Sequence, residues 1–342
     1  MKMNRRQFLV KTSSSLVAGW AVANGLRPDS AAAEEVNSIP FADPVFLMTY
    51  PPKPTFNDYR PVLNSTATTV IFERTISGVT KLYSLDLTNP NVTPVLAFPG
   101  LKAQSLRPDW SWKTGEVVFM NTSDGIYLSS DPLKPLANTT KMTYPTWYPD
   151  GATLAVYNNR QHNPPLPIPR TSKVDLTGKV LQPILATNNI WAGFPSVNQT
   201  DSNVIAFAGQ VVIPHTIYNQ NKNYIWLVDT STTPPTVRTL DPGIPTKPFD
   251  AKYQGRAPWY SPNGEWIAFE STRSNSLGLA AIYIQKADGS SPAVQVTDPA
   301  WNGNHPKWYP SGTELVVAVL QTKGSKVQDR GIAKLDVSAF VA

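Results

Sequence analysis

A short unit recurs six times along this 342-residue chain, and that recurrence restricts the fold more than any other feature. Its clearest copy is Arg256-Ala257-Pro258-Trp259-Tyr260-Ser261-Pro262-Asn263-Gly264-Glu265-Trp266-Ile267-Ala268-Phe269. In Ser261–Gly264, proline sits where a type I turn sets φ and glycine where the chain needs φ > 0. Trp266–Phe269 then has strand-forming residues on both faces, which predicts a strand covered on both sides. Further copies are Tyr144-Pro145-Thr146-Trp147-Tyr148-Pro149-Asp150-Gly151, Asn304-His305-Pro306-Lys307-Trp308-Tyr309-Pro310-Ser311-Gly312 and Arg107-Pro108-Asp109-Trp110-Ser111-Trp112, the last without its second proline. Two degraded copies start at Arg60-Pro61 and Phe194-Pro195.

Aligned on the first proline, at 61, 108, 145, 195, 258 and 306, the copies stand 47, 37, 50, 63 and 48 residues apart. A second strand follows in most of them: Lys81–Asp86, Gly125–Leu128, Tyr224–Asp229 and Ala281–Ile284. Each unit is a small antiparallel sheet unable to bury its own faces. Six of them stacked radially predict an all-β fold, a six-bladed β-propeller. The last blade ends at Asp336 and lacks room for a full set of strands, so Val45–Tyr50 is expected to cross into it. Pairing the N- and C-terminal strands would close the ring and remove the exposed edges of an open stack.

The turn and strand of Trp259–Gly264, Trp308–Gly312 and Trp147–Gly151 resemble the repeat of TolB-like (PD40-type) six-bladed propellers, over roughly residues 44–342. This resemblance implies the fold. It leaves function open, because scaffold proteins, the propeller domains of peptidases and some polysaccharide lyases share the repeat.

Asn4-Arg5-Arg6-Gln7-Phe8-Leu9-Val10-Lys11 resembles a twin-arginine export signal, with a mildly apolar run from Leu16 to Ala23 and small residues at Ala31-Ala32-Ala33. Residues 1–33 are therefore expected to be a signal peptide cleaved before Glu34, and residues 34–342 the propeller, periplasmic or secreted. The apolar run falls short of the ~20 residues that span a bilayer. The chain carries +6, but five basic residues and one acid of its 30 and 24 lie in residues 1–33. The remainder holds 25 and 23, so the charge is no argument for nucleic-acid binding. The absence of cysteine excludes disulfides, thiolate metal sites and a cysteine nucleophile.

No nucleophile elbow, zinc-protease motif, phosphate loop or dinucleotide fingerprint occurs. His162, His215 and His305 occupy different positions relative to the repeat, so no metal site is expected. Asp175-Leu176-Thr177-Gly178 occurs once and reads as an ordinary hairpin turn, so no quinone or other cofactor is expected. Two insertions, Asn158–Arg170 and Gly209–Asn223, are expected to project as loops.

One constellation depends on the repeat itself. The residues just before the framework prolines are Arg60, Arg107, Tyr144, Phe194, Arg256 (one residue further back) and His305. In propellers of this type that connection lies near the entrance to the central channel. Three arginines, a histidine and two aromatics would then form a ring suited to a carboxylate, phosphate or acidic sugar. Asp58, Asp109 and Asp250 are close enough in sequence to pair with the arginines instead. Trp110, Trp147, Trp259 and Trp308 are expected to be wedges between blades. Two readings stand: a non-catalytic periplasmic binding or scaffold protein for a protein or envelope polymer, and a lyase or hydrolase acting on an acidic oligosaccharide.

Overall fold

The repeat folds as a radial sheet because its strands are apolar on both faces and its turns carry the residues their geometry demands. In the Ser261–Gly264 turn, Gly264 has φ +73° and donates its N–H to Ser261 O. A Cβ there would meet Asn198 Oδ1 at 2.4 Å, so no larger residue fits. The computed structural model describes residues 39–51, 55–89, 92–101, 104–121, 124–158, 171–185, 190–211, 223–240, 254–273 and 278–342. The expected export signal, residues 1–33, and most of the two insertions, 159–170 and 212–222, lie outside them.

Among the described residues, 23 strands form six antiparallel sheets. An N-terminal strand, β1 (Val45–Phe46), precedes the first blade, which holds β2 (Phe56–Leu63), β3 (Thr69–Ile76), β4 (Val79–Asp86) and β5 (Val95–Leu96). The second has three strands, β6 (Leu106–Trp110), β7 (Val117–Asn121) and β8 (Gly125–Leu128). The third holds β9 (Met142–Trp147), β10 (Thr153–Asn158), β11 (Thr171–Asp175) and β12 (Val180–Leu185); the fourth β13 (Ile190–Val197), β14 (Val204–Val211), β15 (Tyr224–Asp229) and β16 (Thr236–Thr239). The fifth holds β17 (Gly255–Tyr260), β18 (Trp266–Ser271), β19 (Ala281–Lys286) and β20 (Val294–Gln295), and the sixth β21 (Asn304–Trp308), β22 (Glu314–Leu320) and β23 (Arg330–Asp336). Successive inner strands pack on one another, and β21 packs on β2, so the blades form a ring. Asp175–Gly178 is a hairpin turn, with Asp175 Oδ1 accepting from Thr177 N and Lys179 N.

The core lies between blades rather than within them. Leu63, Phe72 and Leu85 of the first blade pack with Tyr309, Val316 and Ile332 of the sixth. Similar clusters join the first blade to the second, the second to the third, the third to the fourth and the fourth to the fifth.

Closure follows the expected route, with a shorter ladder than the six-residue strand predicted. β1 pairs antiparallel with β23, the outer strand of the sixth blade, through Val45↔Lys334 and Phe46↔Ala333. Tyr50 completes the junction: its hydroxyl accepts from Ile332 N at 2.8 Å and donates to Asp58 Oδ2 at 3.0 Å. Asp58, fully buried, takes both Nε and Nη2 of Arg74 at 2.7 Å. Gly331 leaves room for this, since a Cβ there would lie 2.7 Å from the Tyr50 ring.

Removing one member of a buried ion pair leaves the other charge uncompensated. Asp58→Leu should therefore lose about 3–5 kcal/mol in urea unfolding. Tyr50→Phe, which strands one N–H and part of one carboxylate, should lose about 1–3 kcal/mol.

Candidate functional site: an arginine ring at one mouth of the channel

Every inner strand carries one extra residue. In β2 the ladder pairs Tyr59 with Glu73 and Val62 with Ile71, so Arg60-Pro61 stands opposite Phe72 alone. The other five inner strands shift register at the equivalent place. Proline suits this bulge because it has no N–H to lose from the ladder. The residues before the six prolines, Arg60, Arg107, Tyr144, Phe194, Ala257 and His305, all have φ between 48° and 56°. A bulge of this kind re-aims one side chain. Repeated around the ring, it gathers these side chains at one mouth.

The left-handed backbone costs a non-glycine residue about 1–2 kcal/mol, so something must hold it. Part of the answer is a catch from the preceding blade. Glu73 on β3 accepts from Arg107 N at 2.6 Å, and Glu270 on β18 accepts from His305 N at 3.0 Å. Met120 Sδ on β7 lies 3.4 Å from Tyr144 N. The same glutamates hold arginines: Arg60 Nη1 is 2.6 Å from Glu73 Oε2, and Arg256 Nε is 3.6 Å from Glu270 Oε1.

Arg107 differs from the other two arginines. Among the described residues it has no carboxylate partner; its guanidinium lies 3.7 Å over the Tyr144 ring and 5.3 Å from that of Phe194. Burial first, then the charge of Arg60, pull it down to about 10. Phe194 links the ring across the axis, 4.5 Å from Tyr144, 5.6 Å from His305 and 5.4 Å from the Arg256 guanidinium. Burial and the surrounding arginines hold the His305 imidazole well below its ordinary value, so it is neutral near pH 7. Arg60 Nε, Arg107 Nη1, Arg256 Nε and His305 Nε2 are buried without a hydrogen-bond partner. Arg60, Arg107, Tyr144, Phe194 and His305 line a mouth of about 480 Å³, while Arg256, Glu73 and Glu270 are not part of its lining.

A buried pair lies between that mouth and a second cleft. Lys307, just after the bulge of β21, reaches across to Asp109 on β6 at 3.6 Å. Asp109 also accepts from Trp147 N at 2.8 Å. Burial pulls Lys307 down to about 7 against the attraction of Asp109, and pushes Asp109 up. Lys307 and Trp259 line this mouth and also the cleft at the other end of the inner strands.

Arg60, Arg107, Tyr144 and His305 come together as the sequence predicts. The equivalent position in the fifth blade is Ala257, however. Arg256 sits one residue earlier, in register with Glu270, and reaches the ring only with its guanidinium. The aspartates do not pair with these arginines: Asp58 holds Arg74 and Asp109 holds Lys307, while Asp250 lies outside the described residues. His162 and His215 also lie outside them. Trp147 and Trp308 are buried wedges, but Trp110 and Trp259 are half-buried and line the second cleft. Lys307 was missed, and so was its pairing with Asp109, which the sequence offers to an arginine instead. Both residues occupy the position after the framework proline, which the repeat also makes equivalent in every blade.

Two expectations follow. Because φ is +53° at Arg107, Arg107→Gly should be more stable than Arg107→Ala by about 1 kcal/mol in thermal or urea unfolding, the reverse of the usual order. A lysine titrating near 7 when folded and near ~10.4 when unfolded binds fewer protons in the folded state across that window. Its contribution to stability therefore rises with pH from about 7 to ~10, and unfolding titrations of Lys307→Met should lack that rise.

No known protein family matches the chain's sequence. An uncharacterized protein of Agrobacterium fabrum is 35% identical over 77 residues, 22% of this chain and 25% of that protein, so the match spans only a quarter of the relative's length. The solved structure of TolB from Acinetobacter baumannii is similar with a TM-score of 0.50 at 15% identity, over 82% of this chain and 63% of that one. An oligogalacturonate lyase in complex with manganese is similar with a TM-score of 0.52 at 14% identity, over 87% of this chain and 97% of that one. The propeller fold is thus shared with a TolB protein and with an enzyme.

Proposed function

We propose that the protein is an exported, non-catalytic propeller that binds a protein or envelope polymer by taking one of its anionic groups, a carboxylate or phosphate, into the arginine ring. The observation that carries this reading is the Arg107 guanidinium, which is laid over Tyr144 with its Nη1 buried and unpartnered. A planar anion would satisfy Arg107 in a bidentate manner and draw on Arg60, Arg256 and His305 Nε2, while Tyr144 supplies a flat wall. Without that anion, and among the described residues, the ring holds one more guanidinium than carboxylate and a neutral imidazole with an unsatisfied nitrogen. The twin-arginine-like Asn4–Lys11 and the small residues Ala31–Ala33 support export to the periplasm or beyond, with residues 1–33 removed.

A second reading, elimination on an acidic oligosaccharide, is favoured by Lys307. Its amine lines the same mouth as the arginines and titrates near 7, as a general base for a proton beside a uronate carboxylate should.

One titration separates the two. Oligogalacturonate and inorganic phosphate are added to the full chain, with heat of binding and ultraviolet absorbance of an unsaturated product followed together. The binding reading expects heat without new absorbance, and affinity at least about tenfold weaker in Arg107→Gln. Absorbance that grows with time and disappears in Lys307→Met would replace binding with elimination. No heat with either anion would overturn the ring as an anion site.

A further inference from the structure

We infer that the opposite mouth of the channel binds a neutral saccharide, with its pyranose rings stacked on Trp110 and Trp112. This cleft, of about 600 Å³, is built from the later half of the inner strands and the turns that follow them, whereas the arginine ring sits at the bulges. Trp110 and Trp112 are half-buried within it, and Trp147, Trp259 and Trp308 complete an aromatic wall.

The indoles are fixed in place. Trp110 Nε1 donates to Gly115 O at 3.0 Å, Trp112 Nε1 to Leu63 O at 2.9 Å and Trp308 Nε1 to Trp259 O at 3.0 Å. Those N–H groups are therefore spent inside the protein, and the half-buried Trp110 and Trp112 rings offer faces rather than donors. A proline-rich peptide needs aromatic N–H or O–H donors for its carbonyls, and here three indoles are committed, while the unpartnered Trp147 Nε1 and Tyr260 hydroxyl are buried in the wall. A sugar needs flat apolar faces flanked by a few polar groups that can serve hydroxyls.

Those polar groups are present. Asp109 lines this cleft and not the ring mouth, with its buried carboxylate held by Lys307 and Trp147 N. Gln199 donates its amide to Val197 O at 3.0 Å and keeps Oε1 as an acceptor. The charge of Lys307 is met by Asp109, and Lys113, exposed at this mouth, can donate to sugar hydroxyls. The two ends of one channel thus offer different chemistry, arginines at the ring and indole faces here, and the second assignment stands whatever becomes of the first.

The test is intrinsic tryptophan fluorescence of the full chain titrated with cellohexaose, maltohexaose and chitohexaose. Saturable change with at least one of them is expected, weakened about tenfold or more in Trp112→Ala and unaffected by excess phosphate or galacturonate, the probes of the ring. If Trp112→Ala fails to fold, Gln199→Ala should show the same loss in smaller degree. The inference falls if none of the three sugars gives a saturable change, if both variants bind as the parent does, or if a proline-rich peptide saturates the signal and the sugars do not.

Discussion

The structure depends on one local device, the Xaa-Pro bulge in the inner strand of each blade. Without the bulge, the side chains at those positions would continue the alternation of the strand and pack between blades. With it, one residue per blade leaves the sheet at positive φ, and proline makes the departure cheap because it has no ladder N–H to strand. The repeat therefore yields two products at once: sheets that stack through apolar faces, and a ring of re-aimed side chains whose identities the stacking does not dictate. That freedom is why Arg60, Arg107, Tyr144, Phe194, Ala257 and His305 are chemically so different at geometrically equal positions.

The strain at these positions is shared between neighbours. Glu73 and Glu270 each serve two duties, holding a guanidinium of their own blade and the bulge N–H of the next. Anion recognition and ring geometry are consequently coupled through the same carboxylates. The second, third and fourth blades carry Met120, Tyr157 and Ala208 at the corresponding ladder positions, so the acidic catch exists only beside the arginines.

The fold was legible because a turn with proline and glycine at fixed offsets leaves little freedom, and six such turns at blade-sized intervals leave less. Closure was legible because Val45–Tyr50 is apolar and the last blade is short. The ring was legible as a set of equivalent positions, yet the partners of its arginines were not. Glu73 and Glu270 lie on the second strands, where no proline marks the register, so cross-strand proximity could not be read from sequence separation. Arg256 shows the same limit, since one residue of offset separates a bulge from a ladder position. Lys307 and Asp109 pair across the axis, and only the closed ring brings their blades face to face.

The seam between β1 and β23 also sets an order of events. The strand made first finds its ladder partner nearly 290 residues later, at Lys334 and Ala333. Tyr50 likewise waits for Ile332 before its hydroxyl can join the first blade to the last. During synthesis the early blades can stack on one another, but the circle stays open until the final strand leaves the ribosome. The molecule therefore matures in a single late step, and its first blade keeps one face uncovered until that step is done.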